Sequence, residues 1–132
     1  MKKPEYDLYK QIATYMRYQY PHILYRFDMA GLNLSIAQAG MNKAIQKVRG
    51  YPDLFIAAPS NGKAGLFLEL KPEGTKLHKK DGNCATPHIK EQLECIIELN
   101  KWGYEADFAV GFEDATDKIE DYLTHQYNAA TR

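Results

Sequence analysis

The chain has 132 residues, 45% of them hydrophobic and 26% charged, which suits one domain with its own core and excludes two. Seventeen basic residues balance 17 acidic ones, so bulk electrostatics does not drive binding to nucleic acid. Cys84 and Cys95 lack Cys-x-x-Cys spacing, which argues against a disulfide framework or thiolate zinc, and no run reaches the roughly 18 apolar residues of a membrane span.

Pro4 suits a first helical turn, and Leu8, Ile12, Tyr15, Met16 and Gln19 follow at helical spacing, predicting a helix over 4–20. The polar start before it has no apolar leader, and a cytoplasmic protein is expected. A short strand is predicted over 23–27, then a polar loop through Asp28 and Asn33. Ser35 caps a second helix reaching about Lys47, with Ile36, Ala37, Met41, Ala44, Ile45 and Val48 expected inward and Lys43 and Lys47 outward. Arg49-Gly50-Tyr51-Pro52 ends it. Two apolar strands follow, 53–58 and 64–71, joined by a segment whose Asn61-Gly62 pair favours a tight hairpin turn. After a polar loop over 72–86, Pro87 opens a third helix with Ile89, Leu93, Ile96, Ile97 and Trp102 as its stripe and Gly103 as its left-handed stop. A strand over 104–112, a helix over 113–123 led by acids, and a flexible polar tail over 124–132 complete the chain. The order α-β-α-β-β-α-β-α describes a single α/β domain, a mixed sheet covered by helices.

The hairpin carries the chemistry. It brings Asp53, at the start of one strand, near Glu69, at the end of the next. Alternation places Glu69 and Lys71 on one face while Leu70 points into the core and leaves its backbone carbonyl near both acids. Two carboxylates and a carbonyl suit a hard cation, Mg²⁺ or Mn²⁺, which can acidify a water and neutralise a phosphate. Lys71 would orient or deprotonate that water. Singly, an Asp after Pro is a turn residue and a Glu-x-Lys is a solvated strand edge; in hairpin register they point to a metal-dependent nuclease. Lys76, Lys79 and Lys80, in a loop with local positive charge, are candidate DNA contacts. Arg49 is either a phosphate contact or a partner for a neighbouring acid. His78 and His88 are set aside as ligands, because oxygen donors suit this metal better.

Val48-Arg49-Gly50-Tyr51-Pro52-Asp53, Gly65-Leu66-Phe67-Leu68-Glu69-Leu70-Lys71, Gln92 and Gly103-Tyr104 resemble the VRR-NUC family, a branch of the PD-(D/E)xK nucleases, over roughly residues 5 to 123. The resemblance implies a restriction-endonuclease-like core and a Mg²⁺- or Mn²⁺-dependent DNA endonuclease. It implies selectivity for branched DNA such as Holliday junctions, and a stand-alone phage or bacterial homodimer. Carried over, metal binding falls on Asp53, Glu69 and the Leu70 carbonyl, and catalysis also involves Lys71 and Gln92. Gln92 is open between a functional and a structural role. Glu5 is open between a further metal ligand and a first-turn acid that favours the helix dipole. The glycine-rich stretch of the family is reduced here to Met29-Ala30-Gly31-Leu32-Asn33, a departure that does not touch the metal site. The tyrosines of helix one, Tyr6, Tyr9, Tyr15, Tyr18 and Tyr20, are a candidate dimer surface. The alternative is a non-catalytic DNA-structure-binding or assembly module on the same fold.

Overall fold

A computed structural model describes residues 3–28 and 34–130, with the side chains of Lys3 and of 125–130 left aside. The reduced glycine stretch, Met29–Asn33, lies outside the described residues. The elements are α1 (Lys3–Gln19), β1 (Tyr25–Phe27), α2 (Ile36–Ile45), β2 (Leu54–Ile56), β3 (Leu66–Lys71), α3 (Pro87–Lys101), β4 (Glu105–Val110) and α4 (Gly111–Ala130). Their order is the one read from the sequence. The strands lie in the order β1-β2-β3-β4, antiparallel except for the parallel pair β3 and β4, so the sheet is mixed as expected.

β3 is the central organiser. Its first five residues are all buried, because helices cover both faces of the sheet. Leu66, Leu68 and Leu70 pack with Leu8, Ile12 and Met16 of α1 and Ile119 and Leu123 of α4. Phe67 points the other way, into a cluster with Ile89 and Ile96 of α3 and Phe108 of β4. The hairpin closes as its sequence predicts: Asn61 and Gly62 take φ of 48° and 82°, the positive pair that a two-residue turn of this twist demands. Beyond it, the buried Ser60 hydroxyl donates to the Tyr122 carbonyl at 2.5 Å and the Tyr122 hydroxyl to the Ala58 carbonyl at 2.6 Å, tying the hairpin to α4.

Several expectations are corrected. α2 is capped by Ser35, whose hydroxyl accepts from the Gln38 N–H while the Gln38 side chain accepts from the Ser35 N–H, but none of its residues is buried. Ile36, Met41 and Ile45 are 95, 71 and 79% exposed. The helix turns its amide and lysine edge toward the sheet end, so its apolar stripe faces outward. On α3, Ile97 and Trp102 are exposed because a single stripe through Ile89, Gln92 and Ile96 faces the sheet, and Ile97 lies about 100° round from Ile96. α4 runs well past 123, since 112–130 contains no Gly or Pro to stop it. Of the helix-one tyrosines, Tyr9 is in the core and Tyr15 and Tyr20 pack against it, which leaves Tyr6 and Tyr18 as the exposed pair.

Gly50 sets how closely the segment entering β2 approaches α3. A Cβ there would stand 2.7 Å from the Glu91 carbonyl oxygen and 2.9 Å from the Gln92 nitrogen, both backbone atoms. Gly50→Ala should therefore destabilise the protein by about 1–3 kcal/mol in urea unfolding, because the strand entrance must shift away from the helix.

Candidate active site

β2 and β3 pair with Leu54 opposite Leu68, and one further step along the register sets Asp53 opposite Glu69. Pro52 is fully buried and fixes the entrance; Asp53 is half-buried just after it. The Leu70 N–H donates to Asp53 Oδ2 at 2.9 Å, locking the carboxylate against the Leu70 peptide. The Asp53 carbonyl accepts from the Asp28 N–H at 2.6 Å. Tyr9, stacked on Phe27 with ring centroids 5.0 Å apart, reaches the same acid from α1. Burial, then the Asp53 carboxylate beside it, hold the Tyr9 phenol above its ordinary range, so it keeps its proton facing that acid.

Glu69 is 3% exposed. Burial is the main reason its carboxyl is pushed up to about 11; the facing Asp53 adds to this, Glu5 adds further, and Lys71 pulls the other way. Lys71 is half-buried on the same strand face and makes no ion pair among the described residues. Glu5 is half-buried at the start of α1, within electrostatic reach of Glu69 and Tyr9.

Gln92 arrives from α3, 4% exposed, with its Nε2 3.2 Å from Nε2 of His88 one turn earlier. Glu69 Oε1 and Gln92 Oε1 are buried without a hydrogen-bond partner among the described residues. Both side chains line one cavity of about 520 Å³ with Asp53, His88, Arg49, Lys43 and Lys47. A buried acceptor left unpaired is costly, and two around one cleft call for a donor, a water or a cation between them. Oxygen donors of this kind fit Mg²⁺ or Mn²⁺. Among the described residues no three His, Cys, Asp or Glu side chains form a metal group, so such an ion would rest on two carboxylates completed by the Leu70 carbonyl and water.

A solved structure described as a "VRR_NUC domain protein" superposes with a TM-score of 0.65 at 24% identity, covering 95% of this chain and 92% of that one. The chain has the VRR_NUC fold. No protein-family model matches the sequence, and no curated protein does. The restriction-endonuclease-like α/β core expected from the resemblance is thus the fold observed.

On this VRR_NUC fold, the basic residues divide differently from the sequence reading. Lys76, Lys79 and Lys80 line neither this cavity nor a second one that opens beside it over Phe55, Phe67 and Tyr104. Their loop is closed on itself, with the Lys79 N–H donating to the Asn83 carbonyl at 2.8 Å and the Gly82 N–H to the Lys79 carbonyl at 3.0 Å. Arg49 lines the cavity and pairs with Glu91 through Nη2–Oε1 at 2.9 Å and Nε–Oε2 at 3.4 Å, so both of its expected roles are compatible with its place. Lys43 and Lys47 are exposed as expected, and they also line the cavity. Spacing showed that they share a helix edge, but only the placement of α2 decides where that edge points. His88, which oxygen-donor chemistry does not call for as a ligand, contacts Gln92. Its position one turn before Gln92 was the available signal for contact with that residue.

In metal-free protein the raised Glu69 carboxyl has a consequence for stability. Below the ordinary value of 4.5 both folded and unfolded chains hold the proton; as pH climbs toward about 11 the unfolded chain ionises first and folding weakens. Glu69→Gln, which cannot ionise, should therefore be more stable than the parent in EDTA at pH 7, by at least about 1 kcal/mol. Thermal unfolding across pH should show the two converging near pH 4.

Proposed function

We propose that the protein is a Mg²⁺- or Mn²⁺-dependent DNA endonuclease that hydrolyses phosphodiester bonds in branched or otherwise structured DNA. The observation that carries this reading is the meeting of Asp53 and Glu69 across the hairpin, with a buried Glu69 oxygen left unpaired in a cleft lined by basic side chains. The VRR_NUC fold and the sequence resemblance support it. So does the chemistry of the cleft, since two clustered carboxylates repel a phosphate unless a cation sits between them.

Asp53, Glu69 and the Leu70 carbonyl would hold the cation, with Glu69 giving up its proton and Glu5 within reach as a further acid. Bound there, the ion supplies charge neutralisation and a more acidic water. The Leu70 N–H and the Tyr9 hydroxyl keep Asp53 in place. Lys71 orients the attacking water and offsets charge on the phosphate. The Gln92 amide, held by His88, presents its carbonyl oxygen to the water or to a donor within the cleft. Lys43, Lys47 and Arg49 receive flanking phosphates. A homodimer belongs to the same reading: the outward apolar stripe of α2 would bury against a second copy, and a two-fold pair would address opposing strands.

Purified protein should cut supercoiled, flap or four-way-junction DNA with Mg²⁺ or Mn²⁺ and lose all cutting in EDTA. Asp53→Ala and Lys71→Ala should each reduce the rate by about 100-fold or more. If none of the three substrates is cut with either ion, the enzyme reading fails and a DNA-structure-binding module replaces it.

A further inference from the structure

A second cavity, of about 860 Å³, opens beside the cleft and shares Asn42, Gln46, Tyr51 and Asp53 with it. Its floor is aromatic. Phe55 stacks on Phe67 with ring centroids 4.5 Å apart, while Tyr51 and Tyr104 meet Phe67 edge-on at 5.5 and 5.2 Å. Four rings gathered this way normally finish inside a core. Here only Phe67 is buried in the core; Tyr51 is 46% exposed, Phe55 and Tyr104 are half-buried, and these three rings face the open space above it.

The facing wall is α2. Gln46 Nε2 donates to Asn42 Oδ1 at 3.2 Å, and both residues line the cavity; the Asn42 amide nitrogen and the Gln46 side-chain carbonyl oxygen have no protein partner among the described residues. Since α2 buries none of its residues, packing does not account for amides on this edge. An apolar peptide or lipid chain would cover those amides without satisfying them. An unpaired nucleobase has what both walls require: a flat face to lie on aromatic rings, and an edge carrying donors and acceptors for an Asn–Gln pair. Continuity with the cleft fixes the geometry of such a ligand. A base in the second cavity would bring its own or the neighbouring phosphate toward Asp53 and Glu69, with Lys43 and Lys47 beside it.

We propose that this cavity is a binding site for one unpaired base next to the cleaved phosphate, so that the substrates are DNAs with an unpaired nucleotide at the cut. The proposal rests on the nuclease reading for its role in cleavage; binding of the base stands independently.

The test is fluorescence anisotropy of the full chain, with Ca²⁺ in place of Mg²⁺, on a labelled oligothymidylate and on a blunt duplex of equal length. Tyr51→Leu removes a ring while keeping apolar bulk. Asn42→Ala alters only an amide on an unpacked helix, and keeps the test alive should the first variant fold poorly. Each should weaken single-strand binding about tenfold and leave duplex binding within about twofold of the parent. Failure of the parent to bind the single strand would overturn the proposal, as would equal losses on both DNAs or no loss on either. A parallel cleavage assay with Mg²⁺ separates the two ideas. Selective binding losses without any cutting sink the nuclease reading and leave the base site standing; normal cutting with unaltered single-strand binding does the reverse.

Discussion

Everything at the functional end of this molecule depends on a carboxyl buried at a strand end. Glu69 sits on the central strand, beneath helices, opposite a second acid, in a position where an uncompensated charge is expensive. The fold tolerates it with the carboxyl holding its proton; under the proposed function a cation would take the proton's place. The same register that builds the hairpin enforces this choice. Moving Glu69 by one position would send it into the leucine cluster on the other face.

The surrounding groups follow from holding that pair in place. The Leu70 N–H fixes Asp53 from the strand, Tyr9 reaches it from the first helix, and Gln92 approaches from the third with His88 behind it. Gly50 permits the close passage between the strand entrance and α3 that puts Asp53 and Gln92 in one cleft. These contacts come from far-apart parts of the chain, so the site is a product of tertiary packing built around a local hairpin.

α2 is the unusual element. Its amphipathic pattern looks like that of a core helix, yet its polar edge faces the cleft and its apolar stripe faces out. Sequence periodicity measures how residues are distributed around a helix and carries no sign for inside or outside. That one inversion set the exposed Lys43 and Lys47 beside the cleft, and opened the aromatic and amide walls of the neighbouring cavity.

The sequence by itself determined the element order, the hairpin turn at Asn61-Gly62, the opposition of Asp53 and Glu69, and the stop at Gly103. Each depends on short-range constraints: positive φ at the turn and helix end, two-residue alternation along strands, and helical spacing of apolar side chains. Only the tertiary structure decided which way α2 faces and which lysines line the cleft with the acids. It alone left the Glu69 and Gln92 oxygens unpaired among the described residues, and set Tyr51, Phe55 and Tyr104 over the buried Phe67 beside the cleft. Those outcomes hinge on contacts between segments tens of residues apart, whose orientation no local pattern encodes.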